Sequence, residues 1–249
     1  MKLKEEDLTV ELLKELFTYH EDGYLIWNIR PLHHFNNVGN CKRFNTPCAG
    51  NVAGYFNKRS DSQQEGFGYW RTAVSLKGLG FEGVAHFKTH RLIFAMHHGY
   101  FPEVVDHIDG DTNNNRVNNL RPCSIKENSR NLKNAVNNTT GYKGVVKTNR
   151  VKNPYAAIVH YEDLCLRLGV FSTKEEAAAA AYNLVSKLLF GKYYRPNEVT
   201  FKEEDVSRTS KFFKEYFPKI LLEEKDWIND FKIKERPIRR KKNDKEKEE

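Results

Sequence analysis

Cysteine, methionine and long apolar runs are what this 249-residue sequence has least of. The four cysteines (Cys41, Cys48, Cys123 and Cys165) are too few for a disulfide framework in so long a chain, which predicts reduced thiols in a cytoplasmic protein. No stretch approaches the ~20 apolar residues of a membrane-spanning helix. The opening residues, MKLKEEDLTVELLKELF, are broken by acids where a secretory signal would be apolar, so an intracellular location and no membrane partner are expected. No internal repeat is found. What is present is charge: 41 Lys plus Arg against 33 Asp plus Glu give a net +8, with 39% hydrophobic and 12% aromatic residues. With a mean hydropathy of -0.72, that balance describes a chain with a modest core and a polyanionic partner.

Along the chain, Leu8, Leu12 and Leu16 recur every four residues and predict an amphipathic helix over 5–19. Glu21-Asp22-Gly23 reads as a turn and Tyr24–Trp27 as a strand. From 31 to 68, Gly, Asn, Ser and Gln without a sustained period predict loops and short strands. Tyr69–Leu76 restores a strand pattern, and Thr89 precedes an apolar helix ending near Gly99. Ser124-Ile125-Lys126-Glu127 is a capping box, which starts a helix at 124. Three strands are expected near 142–147, 155–160 and 165–170, then a helix from 172 to about 190. The tail from 232 to 249, with nine Lys or Arg and five Asp or Glu, is too polar to offset its ordering entropy.

The segment VVDHIDGDTNNNRVNNLRPCSIKENSRNLKN carries the chemistry. A strand bearing Asp106 and His107, a second strand near Asn119, and a helix bearing Asn128 fold naturally as a ββα unit. Such a unit gathers one carboxylate, one imidazole and two carboxamides. Oxygen ligands from Asp106 and Asn128 suit a hard cation such as Mg²⁺ or Mn²⁺. His107, with an ordinary pKa near ~6.5, can take a proton from water at neutral pH, and Asn119 is the expected partner that fixes its tautomer. Alternating Asp109, Asp111, Asn113 and Asn115 mimic a calcium loop, but Asn114 stands where Gly is needed and Leu120 where a bidentate Glu is needed.

The order Asp-His, Asn, Asn resembles the HNH nuclease motif, and HRLIFAMHHGYFPEVVDHIDGDTNNNRVNNLRP resembles the HNH homing endonucleases of phages and phage introns. The resemblance implies a ββα-metal (His-Me finger) centre with Asp106 and Asn128 as metal ligands, His107 as base and Asn119 as its orienting residue. It implies metal-dependent cleavage of double-stranded DNA at a long site by a phage-type protein in a bacterial host.

The segment from Thr140 to Asn197 resembles the APETALA2-type DNA-binding domain through Tyr142-Lys143-Gly144-Val145, Tyr155-Ala156-Ala157, Leu168-Gly169-Val170-Phe171 and Glu175-Glu176-Ala177-Ala178. That implies a three-stranded sheet in the major groove with one helix behind it. Val146 and Ile158 stand where plant members carry charged residues, which favours phosphate binding over base readout. Residues 126–155 independently hold seven Lys or Arg against one acid, a density suited to phosphates. Lys126, Arg130, Lys143, Lys147, Arg150 and Arg167 are the expected DNA contacts, with Tyr155 as a stacking or sugar contact.

His90 reads as a core histidine and Arg91 as a helix-end arginine that could touch phosphate. Cys41, Cys48, Cys123, His33 and His34 lack zinc-knuckle spacing. The sequence therefore predicts an α+β protein: a helix and strand-rich DNA-binding segment over 1–85, an HNH nuclease domain over 86–138, a three-stranded sheet plus helix over 139–197, and a helical extension with a charged tail over 198–249. No small organic cofactor is called for, and tandem binding modules let a monomer span a long target. The rival readings are a DNA-binding regulator whose nuclease motif is inactive and, less favoured, an RNA-binding protein.

Overall fold

The computed structural model describes residues 1–58, 68–134, 137–199 and 211–228. The chain divides into two units, Met1–Val136 and Asn137–Glu249. The charged tail from 232 lies outside the described residues.

In the first unit a 3₁₀ turn (Glu5–Asp7) leads into α1 (Val10–Leu16), whose start is fixed by the Thr9 hydroxyl accepting from Leu12 N. The helix is shorter than the leucine spacing predicts. At Phe17 the chain turns extended, because Phe-Thr-Tyr favours a strand and finds a partner: β1 (Phe17–His20) pairs antiparallel with β2 (Tyr24–Trp27). The low-period segment departs further from expectation, since Val38–Cys48 is helical (α2). Asn37 caps it by accepting from Asn40 N, and Phe44 sets its edge against Trp27 with ring centroids 5.0 Å apart. It buries no residue completely, so it shows no apolar stripe for a sequence pattern to reveal.

β3 (Tyr55–Lys58), β4 (Gly68–Val74) and β5 (Ala85–Lys88) form an antiparallel sheet in that order. α3 (Thr89–His98) follows, with Leu92, Ile93, Phe94 and Ala95 at most 1% exposed, and stops at Gly99 with φ +85°. The Thr89 hydroxyl does not cap it but shares a hydrogen bond with Thr72 Oγ1 at 2.9 Å. Each large apolar side chain so buried stabilises the fold by about 1.5–3 kcal/mol. β6 (Val104–His107) pairs antiparallel with β7 (Leu120–Cys123), and α4 (Ile125–Asn131) follows with the Ser124–Glu127 capping box formed. One core, from Leu3 through α3 to Leu120, unites the N-terminal segment with this ββα unit.

In the second unit β8 (Val145–Lys147), β9 (Tyr155–Tyr161) and β10 (Leu164–Phe171) form an antiparallel sheet with β9 central. Thr173 caps α5 (Lys174–Ala177), which continues as a π-helical segment (Ala178–Asn183) into α6 (Leu184–Phe190). Ala177, Ala178 and Ala181 pack with Ala157, Val159, Leu166 and Leu168 in one core. Gly144 admits the aromatic ring of Tyr182: at φ +69°, a Cβ there would stand 2.7 Å from Ile158 O and closer still to that ring. α7 (Lys211–Leu221) adds Phe212 and Ile220, and Trp227 is 1% exposed in the same cluster. Among the described residues, no helix is long and apolar enough to cross a membrane.

Candidate active site

β6 ends on Asp106 and His107, both buried, because the pairing Asp106↔Arg121 and His107↔Leu120 sets them against β7 beneath α3. His107 Nε2 lies 2.9 Å from Asn115 Oδ1. An oxygen acceptor there requires the ring proton on Nε2, which leaves the lone pair on Nδ1. Burial lowers the pKa of His107; the Asn115 bond and the carboxylates of Asp109, Asp106 and Asp111 partly oppose that effect. The imidazole is consequently neutral at pH 7. His90, buried on α3, meets it edge to face at 4.7 Å, and Tyr69 flanks both rings. Burial, with the adjacent His107 second because two neighbouring imidazoles resist both being protonated, holds the His90 pKa well below its usual value.

Asn119 does not reach the imidazole. Its Oδ1 accepts from Asp109 N at 3.1 Å, and its Nδ2 donates to Asp109 Oδ1 and Asn114 O at 2.9 and 2.8 Å. It therefore closes the loop between β6 and β7, and that closure swings Asn115 under His107. Asp109 belongs to the same lattice: partial burial raises its pKa, but the Asp111 amide and the carboxamides of Asn114 and Asn119 outweigh this and leave it lowered. The N-terminal hairpin buttresses the loop from outside. Arg116 pairs with Asp22 at 2.7 Å, Val117 N donates to the Tyr19 hydroxyl at 3.1 Å, and Gly23 packs on the backbone of Asn115 and Arg116.

Asp106, the residue before His107 on β6, has a separate set of partners. Its Oδ2 accepts from Arg121 Nε and Arg121 Nη2 at 2.9 and 2.6 Å, and Asn131 Nδ2 spans both carboxylate oxygens at 3.1 and 3.0 Å. Asn131 also donates to His107 O at 2.8 Å, which pins α4 to the end of β6. Asn128 is half-buried and precedes Asn131 by three positions, on the same face of α4. No hydrogen bond joins its side chain to Asp106. A carboxylate and a carboxamide oxygen form a hard donor set that fits Mg²⁺ or Mn²⁺ in chemistry. An ion there would share Asp106 with the Arg121 guanidinium.

Asn115, Asn131, Arg121 and His90 were not singled out as site residues by motif spacing. Asn115 and Asn131 are two of ten asparagines between 113 and 138, and residue type alone does not separate a ring partner from a turn residue. Arg91 is committed elsewhere, in a two-pronged pair with Glu5 at 2.6 Å and a bond to Pro102 O at 2.8 Å.

The expected DNA contacts fall in different settings. Lys126 is exposed and Arg130 half-buried on α4. In the second unit Lys147 and Arg150 are exposed, and Arg167 projects beside Ile158 on the sheet face away from the helix. Tyr155 shares a strand face with Ala157 and Val159 and packs on the core side, so it is not on that open face. Lys143 sits 6.0 Å from the Tyr182 ring with its amide held by Asn197, and burial, reinforced by Arg195, pushes its pKa down to about 8.

Residues 87–130, from β5 to α4, match the family model of the HNH endonuclease. An uncharacterized HNH endonuclease of Acanthamoeba polyphaga mimivirus is 36% identical over 115 residues, which cover 45% of this chain and 58% of the relative. The chain thus spans somewhat more than half the length of that viral relative. No solved structure matches. The ββα unit that carries Asp106 and His107 therefore lies within the stretch that is similar to the HNH endonuclease family.

Proposed function

We propose that this protein is a DNA endonuclease whose general base is His107. The observation that carries this reading is the Nε2–Asn115 contact, which leaves a neutral imidazole with its Nδ1 lone pair available at the end of β6. His107 takes a proton from a water molecule as that water attacks phosphorus. A new P–O bond forms, the bond to the 3′ oxygen breaks, the departing oxygen takes a proton from solvent water, and His107 returns its proton to solvent. Asn119 holds the loop that positions Asn115, and Asp106 with Asn128 supplies the oxygen ligands for a divalent cation. A bound Mg²⁺ or Mn²⁺ would neutralise charge developing on the phosphate and the leaving oxygen. Lys126 and Arg130 on α4, and Lys143, Lys147, Arg150 and Arg167 in the second unit, bind phosphates. The second unit serves as an APETALA2-type DNA-binding domain, and the two units together read a long homing-type site. Its sheet order, the helix behind the sheet and Arg167 on the open face support that part of the reading.

The test is conversion of supercoiled plasmid carrying the gene's own genomic flanks, with Mg²⁺ or Mn²⁺, to nicked or linear product. His107→Ala should abolish conversion while retaining DNA binding. Binding without cleavage by the wild-type protein under either metal would replace the nuclease with a DNA-binding regulator.

A further inference from the structure

Away from the ββα unit, the end of α1 meets the 3₁₀ turn Leu32–His34, and three ligand-bearing side chains converge there. Glu15 Oε1 is 3.5 Å from His33 Nε2, and Glu15 Oε2 is 3.4 Å from His34 Nε2. All three groups lie within 4.8 Å of one another. Bonds of ~2.1 Å to a tetrahedral ion put neighbouring ligand atoms about 3.4 Å apart, so each Glu15 oxygen already stands at edge length from one imidazole, and a small turn of the carboxylate brings one oxygen between both. A second observation points the same way. His34 is 0% exposed, yet its Nε2 has no hydrogen-bond partner, and a buried ring nitrogen left so is costly.

The turn carrying both imidazoles is held rigidly. The backbone of residues 33–35 runs against Gly78, where an added Cβ would collide with the main chain of His33, His34 and Phe35.

We propose that Glu15, His33 and His34 bind a divalent transition-metal ion, Zn²⁺ foremost, which clamps the start of the 31–58 segment to the end of α1. Two imidazoles and one carboxylate select Zn²⁺ over Mg²⁺, and the exposed sides of Glu15 and His33 leave water as the fourth ligand. Ligation through His34 Nε2 moves the ring proton to Nδ1, so the 3.4 Å approach of Arg30 Nε to that atom must open. Arg30 keeps its 2.6 Å bond to Ser75 O and its seat over the rings of Phe35 and Phe44. The site is structural and independent of the nuclease reading.

The test is equilibrium dialysis of the metal-stripped full chain against Zn²⁺, with bound metal counted and thermal unfolding followed in parallel. Wild type should bind an equivalent that His33→Ala and Glu15→Gln each weaken by at least about 10–100-fold, since losing a ligand costs no less than losing a ligand's own hydrogen-bond partner. Asn128→Ala should retain this equivalent and its Zn²⁺-dependent rise in Tm, while millimolar Mg²⁺ should not displace it. Both single variants replace exposed side chains, and their metal-free Tm should match wild type. Equal Zn²⁺ content and equal Zn²⁺-dependent Tm in wild type, His33→Ala and Glu15→Gln would overturn the proposal, as would loss of the equivalent in Asn128→Ala.

Discussion

Asn115 Oδ1 stands 2.9 Å from His107 Nε2, and this one contact chooses which imidazole nitrogen is basic. Asn115→Ala should lower kcat by about 10–100-fold with DNA affinity nearly unchanged, because the ring loses its orientation and tautomer but the phosphate contacts remain. A purely structural residue would not move the pH profile. Asn115 helps raise the His107 pKa against burial, so removing it should shift the acid limb to lower pH, whereas Asn115→Asp should shift it upward.

The wild-type profile carries its own sign. The lowered His107 pKa means that the base is already neutral below the ordinary histidine midpoint of ~6.5, so cleavage should stay level from pH 7 down to that value and fall only beneath it. Folding responds in the same direction. His90 and His107 are held neutral, so the unfolded chain binds more protons below pH ~6.5, and stability should be lost as pH falls through that region. His90→Phe should flatten that loss in urea titrations at successive pH values.

Gly23→Ala tests how far the N-terminal hairpin governs the site. Gly23 has φ +89°, and a Cβ there would stand 2.5 Å from Arg116 N and 2.6 Å from Asn115 C. The substitution should cost about 1–2 kcal/mol in backbone strain and, by displacing Asn115, up to about 100-fold in kcat. Gly50→Ala is the control. Its φ is +80° with nothing within 4 Å of the added carbon, so it should lose similar stability without the loss of kcat.

What the sequence revealed and what it hid follow from the range of each interaction. The Ser124–Glu127 capping box spans three residues, and its helix begins where the spacing placed it. The strand carrying Asp106 and His107 was equally legible, since its apolar partners are local. Asn115 was not, because its contact with His107 exists only after Asn119 closes the loop and Gly23 packs beneath it. α2 was hidden for the opposite reason: it is an exposed helix held by a cap and by Phe44 on Trp27, without a periodic stripe. The His33–His34 pair was visible, but Glu15 lies 18 residues earlier and joins it only through packing.

Arg121→Met should show how Asp106 is maintained as a buried anion. The side chains of the pair are 10% and 7% exposed, and Arg121 provides two of its hydrogen bonds. Removing the guanidinium strands a carboxylate that Asn131 alone cannot neutralise, so unfolding free energy should drop by about 3–5 kcal/mol. Arg121→Met combined with Asp106→Asn should recover much of that loss, since neither buried charge remains. Additive losses in this cycle would show that the two side chains act separately.

Lys143 separates stability from binding in the second unit. Its pKa of about 8 means that at pH 7 the ammonium is charged but poorly hydrated, a cost that folding bears. Between pH 8 and the unfolded value near ~10.4 the unfolded chain holds a proton that the folded chain has released, so wild-type stability gains a rising contribution with pH across that window. Lys143→Met should be more stable than wild type at pH 7, should lack that contribution, and should lose its advantage as the window is crossed. If the ammonium meets a phosphate, the anion restores its lost hydration and raises its pKa, so DNA binding near pH 8 takes up a proton. Wild-type affinity should then fall more steeply than that of Lys143→Met from pH 7 to about 9, and Lys143→Met should bind more weakly at pH 7 with a shallower salt dependence. A variant that gains stability without losing affinity would remove Lys143 from the DNA interface and leave it as a cost of packing beside Tyr182.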